Sequence, residues 1–134
     1  MKKRALFICT HNSARSQMAE GLLNAFYGDK YEGYSAGVTP TRLNSYVVKS
    51  MAEIGIDISR NRSKSIEEFR GENFNYVVTV CDSAREACPF FPGEEVIHKS
   101  FDDPSRFKGS EEEILKQVRR VRQEINEWIK SRFT

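Results

Sequence analysis

The sequence is poor in the features that mark a specialised environment. Its 134 residues include one tryptophan, two histidines, three cysteines and four prolines. An odd, small number of cysteines argues against the disulfide framework of a secreted mini-domain. No apolar run approaches the roughly 20 residues of a membrane-spanning helix. Lys2-Lys3-Arg4 is the only basic start, and no apolar signal-peptide core follows it. Charge of one sign is lacking as well. The 21 basic and 19 acidic residues leave a net charge of +2, with the signs interleaved, which offers no basic face to nucleic acid or to an anionic membrane surface. There is no repeat, low-complexity tract or long linker. What remains, 39% hydrophobic and 30% charged, suits one soluble globular domain over residues 1–134 with a single core. The expectation is a cytoplasmic monomer.

Ala5-Leu6-Phe7-Ile8 is a short unbroken apolar run, as in a strand buried on both faces. A helical pattern follows, with Met18, Leu22, Ala25 and Phe26 on one face and Gly28 closing it. Tyr31 to Ala36 reads as a second strand, broken by Gly37 and Pro40. Leu43 to Ile54 reads as a helix with Val47, Met51 and Ile54 inward and Gly55 at its end. Ile66 to Phe69 reads as a short helical turn, Tyr76 to Val80 as a third strand and Glu95 to His98 as a weaker fourth. From Glu111, the residues Ile114, Val118, Val121, Ile125 and Trp128 form a long helical stripe. Ser110 and Glu113 stand at capping-box spacing before it.

Strands alternating with helices predict the α/β class. The expected fold is a single three-layer domain: a four-stranded parallel sheet in the order 2-1-3-4 with helices on both faces. In that order the crossovers leaving the first and third strands diverge, which opens a crevice at their C-terminal ends. Cys9 ends the first strand and Cys81 the third, so topology brings both to one crevice. A buried apolar thiol is the alternative reading of either cysteine.

Residues 9 to 16 read Cys-Thr-His-Asn-Ser-Ala-Arg-Ser between a strand and a helix. A short loop entering a helix can turn its N–H groups inward, so the stretch Thr10, His11, Asn12, Ser13, Ala14 and Arg15 can form an oxyanion cradle. Arg15 adds a planar fork of donors. Cys9 lies at the base, where those dipoles favour the attacking thiolate, and Ser16 can donate to the sulfur. The His11 side chain has no evident task and is expected to face solvent. Cys-x5-Arg alone is a weak pattern; its placement after an apolar strand and before a helix makes it a strong one.

The loop continues as Gln17-Met18-Ala19-Glu20-Gly21. With Tyr-Ser-Ala-Gly at 34–37, Gly-Ile-Asp-Ile-Ser at 55–59, Val-Val-Thr-Val-Cys at 77–81, Cys88-Pro89, Phe-Asp-Asp-Pro at 101–104 and Arg-Arg-Val-Arg-Gln-Glu-Ile at 119–125, the chain resembles the low-molecular-weight tyrosine phosphatase superfamily. It is most similar to the thioredoxin-coupled arsenate reductase branch. The resemblance implies that Asp103, directly before Pro104, is the general acid, its direction restricted by the proline. Asp102 is then structural. From spacing alone the pair is equally a turn before the last helix.

The resemblance also implies a use for Cys81 and Cys88, whose spacing suits no zinc site. Cys9 attacks arsenate, Cys81 then Cys88 resolve the adduct, and thioredoxin reduces the resulting disulfide. Segment 82–88 has no apolar anchor larger than alanine, so it can rearrange to expose that disulfide. No metal or organic cofactor is implied, and phosphate and sulfate are expected competitors. Two departures stand out. Ala14 replaces a second loop cysteine common in the family. Lys64 replaces an aspartate that, in some relatives, joins Asn12, Glu20 and Ser35 around a potassium ion. The expectation is that the Lys64 ammonium takes the ion's role, reaching Glu20 and the oxygens of Asn12 and Ser35. The alternative function is a low-molecular-weight protein tyrosine phosphatase working through a Cys9 phosphocysteine. Against it, Ser105 stands where such enzymes usually carry an aromatic residue.

Overall fold

The computed structural model describes residues 1–82 and 89–133. Four strands, β1 (Lys3–Cys9), β2 (Tyr31–Gly37), β3 (Tyr76–Thr79) and β4 (Glu95–His98), form one parallel sheet in the order β2-β1-β3-β4. The apolar run of β1 is fully buried from Ala5 to Ile8, because the strand pairs on both edges and is covered on both faces. Register places Cys9 beside Gly37 and Ile8 beside Thr79. The chain leaves β3 with the Val80 N–H bonded to the Ile8 carbonyl at 2.9 Å.

Three helices, α1 (Arg15–Tyr27), α2 (Ser45–Ala52) and α3 (Glu111–Phe133), cover one face. Met18, Leu22, Val47, Met51, Val118, Val121 and Ile125 pack there on Ala5, Phe7 and Val78. The other face carries Leu6, Ile8 and Val77, covered by the 3₁₀ helix Ile66–Phe69 with Phe74 and Phe91. The Ser110–Glu113 capping box is formed, each backbone N–H donating to the other's side chain at 3.2 Å.

Two helical faces differ from the sequence expectation. In α1 the buried stripe is Met18, Ala19, Leu22 and Leu23, while Ala25 is exposed and Phe26 is 52% exposed. The last turn stays on the sheet through Asn24, which bonds both backbone groups of Gly33 in β2, and through Tyr27, which packs on the core, so Phe26 is left on the outer side. The second helix starts at Ser45 rather than Leu43, because the Asn44 side chain accepts from the N–H groups of Tyr46 and Val47. It ends before Ile54, which is 36% exposed, as Gly55 at φ 82° turns the chain out. Among the described residues no helix is long and apolar enough to cross a membrane, and no group of His, Cys, Asp and Glu is arranged to hold a metal ion.

Candidate active site

The 9–16 loop sits at the C-terminal edge of the sheet, between β1 and α1. Ala14 holds the N-cap position and offers no side-chain cap, so the start of the helix keeps backbone donors suited to an anion. The loop backbone crosses β2 so closely that a Cβ on Gly37 would lie 2.8 Å from both the Asn12 nitrogen and the Thr10 oxygen. Glycine is required there. Backbone bonds from Thr39 to Thr10, Thr41 to His11 and Asn44 to Ser13 tie the loop to the segment after β2.

Cys9 is a free thiol, 2% exposed, with its Sγ 2.9 Å from Ser16 Oγ. Asn12 is buried and holds the left-handed backbone at φ 51°. Its Nδ2 donates to Ser16 Oγ at 2.8 Å, and its Oδ1 accepts from the Lys64 backbone N–H at 2.9 Å. Arg15 is buried, and its Nη1 donates to the Phe101 carbonyl at 3.4 Å. Its Nη2 lies 3.6 Å from Asp103 Oδ2. Asp103 caps the 3₁₀ helix Pro104–Arg106, its Oδ1 accepting from the Ser105 N–H at 3.0 Å and from Ser105 Oγ at 2.9 Å. Ser105 thereby occupies one carboxyl oxygen and leaves the other directed at the guanidinium. Asp102 is turned away and pairs with Arg120 of α3 at 3.0 Å.

His11 is half-buried rather than solvent-facing. Its Nδ1 donates to the Thr39 carbonyl at 3.0 Å, since a carbonyl can only accept. Beside it an open groove of about 680 Å³ is lined by His11, Ser13, Arg42, Tyr46 and Ser105, among others.

Behind the loop, Ser35 Oγ donates to Glu20 Oε1 at 2.8 Å, and Lys64 Nζ lies 4.0 Å from the same oxygen. Burial pushes the Glu20 carboxyl above its ordinary range, and Lys64 and Ser35 hold it down. The ammonium differs from the sequence expectation in its other contacts. It donates to the Arg62 carbonyl at 3.3 Å, while Asn12 is met by the Lys64 backbone instead. The chain bends to form a bridge between Gly37 and Ser65, which turns the Lys64 N–H, not its side chain, onto the loop. An ammonium this close to Glu20 leaves no fit for a potassium ion, which would meet a like charge.

Cys81 is fully buried, in the same cluster as Cys9, and is disulfide-bonded. Since Cys9 is free, that bond does not join the two. Cys88 lies outside the described residues, as does most of segment 82–88. Sequence reasoning missed Gln17, Asn61 and Ser63, which pack polar atoms against Asn12 or one another. Gln17 stood inside a recognised motif. Asn61 and Ser63 lie more than 40 residues downstream of the atoms they touch, with no local signal.

Residues 4–132 match the family described as low molecular weight phosphotyrosine protein phosphatase. An arsenate reductase of Halalkalibacterium halodurans is 44% identical over 131 residues, covering 97% of this chain and 94% of that protein. A solved arsenate reductase in its phosphate-binding state superposes with a TM-score of 0.82 at 28% identity, over 96% of this chain and 95% of that one. A thioredoxin-dependent arsenate reductase of Corynebacterium glutamicum gives a TM-score of 0.66 at 28% identity, over 97% of this chain and 61% of that one.

Proposed function

This chain belongs to the low molecular weight phosphotyrosine protein phosphatase family, and from its likeness to the arsenate reductases within it we propose that it reduces arsenate to arsenite by a relay of three thiols recycled by thioredoxin. One observation favours a reductase over a hydrolase. Cys81, at the end of the strand beside β1, is disulfide-bonded while Cys9 is free. A phosphate-ester hydrolase needs one thiol and water, whereas a reductase needs several thiols in sequence.

The cycle starts with all three thiols reduced. Arsenate enters as a phosphate mimic, its oxygens taking the N–H groups of residues 10–15 and the Arg15 fork. The Cys9 thiolate, held by the Ser16 hydroxyl, attacks arsenic. Asp103 protonates the departing oxygen, which leaves as water. A sulfur–arsenic bond has formed and arsenic is still pentavalent. The Cys81 thiolate then attacks Cys9 Sγ. The disulfide forms, the sulfur–arsenic bond breaks, and its electron pair stays on arsenic, which departs as arsenite. Cys88 next attacks Cys81 and frees Cys9. The Cys81–Cys88 disulfide is reduced by the dithiol of thioredoxin. Glu20, Ser35 and Asn12 support the loop, with the Lys64 ammonium in place of a potassium ion.

The test is arsenite formation by the reduced protein with thioredoxin, thioredoxin reductase and NADPH, at one NADPH per arsenite. No arsenite above a Cys9→Ser blank would overturn the reading. The groove beside His11 favours a second, slower activity, hydrolysis of a phosphomonoester whose organic part lies there. Counting thiols separates the two, since reduction consumes two per arsenite in a single turnover and hydrolysis consumes none.

A further inference from the structure

We infer that Gln17 and Asn61 are positioning residues for the nucleophile, the outer links of a one-way chain of hydrogen-bond donors that ends on the Cys9 sulfur. The inference rests on Cys9 being the attacking thiol. The direction of each link follows from its partners. The Lys64 N–H can only donate, so the Asn12 atom 2.9 Å from it must be the amide oxygen. Asn12 Nδ2 therefore faces Ser16 Oγ at 2.8 Å. Having accepted that bond, the Ser16 hydroxyl turns its own proton to Cys9 Sγ, 2.9 Å away.

The next link outward is Gln17. Its Nε2 lies 2.9 Å from Asn12 Oδ1 and 3.0 Å from the Arg62 carbonyl. Both are acceptors, so the nitrogen must face them and Oε1 must point the other way. There Asn61 Nδ2 donates to it at 3.1 Å, and the same amide reaches Glu20 Oε2 at 3.4 Å. Neither Asn12 nor Gln17 can turn its amide over without setting like atoms face to face. From Asn61 through Gln17, Asn12 and Ser16, each link donates to the next one inward, so the dipoles along the chain reinforce one another at the sulfur and favour its thiolate.

Asn12 is the strained link. A non-glycine residue at φ 51° persists where its neighbours over-determine it. Gln17 Nε2 and Ser63 Oγ also hold its carbonyl, at 3.3 Å and 3.0 Å. Asn12, Ser16 and Gln17 are fully buried, so water does not compete for these bonds.

The experiment is the rate of Cys9 modification by iodoacetamide in the fully reduced protein, followed by peptide mass across pH. Asn61→Asp sets an oxygen against Gln17 Oε1. Gln17→Met removes a link at similar volume. Each is expected to slow Cys9 modification at roughly pH 6 by about two- to fourfold, the share of a hydrogen bond to a charged sulfur that polarisation carries along the chain, with the alkaline plateau unchanged. In a Ser16→Ala background neither has a further effect, because the last link is already cut. Unchanged rates in the single variants overturn the chain. So does a loss that persists in full with Ser16→Ala, since charge or packing would then act through space. If Gln17→Met fails to fold, Asn61→Asp decides alone, at a partly exposed site. Arsenate turnover surviving in Cys9→Ser would remove the underlying reading. An inactive Cys9→Ser enzyme with unchanged modification rates overturns the chain alone.

Discussion

Replacing Lys64 with methionine keeps most of the side chain's length and deletes its charge. Lys64 Nζ lies 4.0 Å from Glu20 Oε1, and the two side chains are 17% and 15% exposed. Two unit charges at that distance attract by about 4 kcal/mol at an effective dielectric near 20. The variant recovers the cost of desolvating the ammonium, and residual solvent screens the pair further. A net loss of about 2–3 kcal/mol at roughly pH 7.5 is expected. The pH dependence identifies the cause. Burial raises Glu20 above its ordinary 4.5 in the folded protein, so the folded state holds this proton more tightly than the unfolded chain does. Its contribution to stability is present at low pH and is lost as pH rises from 4.5 through the folded value. Without Lys64 the folded value climbs further, and the loss is larger and reaches higher pH. The Lys64→Met penalty is therefore small where Glu20 is protonated in both proteins and full-sized above the variant's folded value. Urea midpoints at about pH 4.5 and about pH 8, with unchanged m-values, measure it. Equal penalties at both pH values, or one below about 0.5 kcal/mol at the higher, would refute the pairing. A companion variant tests the potassium substitution. Lys64→Asp should make turnover depend on K⁺, while the wild type should be indifferent to exchanging K⁺ for a large organic cation at equal ionic strength. Strong K⁺ activation of the wild type would refute it.

Cys9→Ser should abolish both arsenate reduction and hydrolysis of p-nitrophenyl phosphate, because both begin with the same sulfur; retained turnover in either assay would contradict this. Cys88→Ser should complete one turnover and stop with a Cys9–Cys81 disulfide, detectable by peptide mapping. Sustained cycling with thioredoxin would mean the thiols act in another order. Arg15→Lys should weaken competition by phosphate or sulfate by about 1.5–3 kcal/mol, roughly ten- to hundredfold, since an ammonium cannot reproduce the two-pronged contact. Unchanged inhibition constants would count against the cradle. Phe133→Ala should destabilise the fold by about 3–5 kcal/mol in urea melts. That ring is 1% exposed and meets Phe7, Tyr31, Tyr76 and Trp128 edge-on. A loss under about 1 kcal/mol would show that the cluster repacks.

Local pattern was enough for the features whose cause is local. The apolar run at 5–8, the capping box at 110–113 and the Cys-x5-Arg loop each depend on neighbours within a few residues, and the parallel order of the sheet followed from alternation and crossover rules. Helical faces were legible only where tertiary contact agreed with the pattern. Phe26 and Ile54 fit an apolar stripe and are nonetheless exposed, because the sequence does not say which side of a last turn meets a neighbour, nor that the second helix stops before Ile54. The motif named Cys9, Arg15 and Asp103 without their geometry. That Asp103 spends one oxygen on Ser105 and turns the other to Arg15 depends on a loop folded back across 88 residues of chain. The chain of amides behind Cys9 belongs wholly to the tertiary structure. Asn61, Ser63 and Lys64 approach Asn12 and Gln17 from 44 to 52 residues away. A side chain's hydrogen-bond direction is set by the partners that surround it in space, and only the fold decides which partners those are.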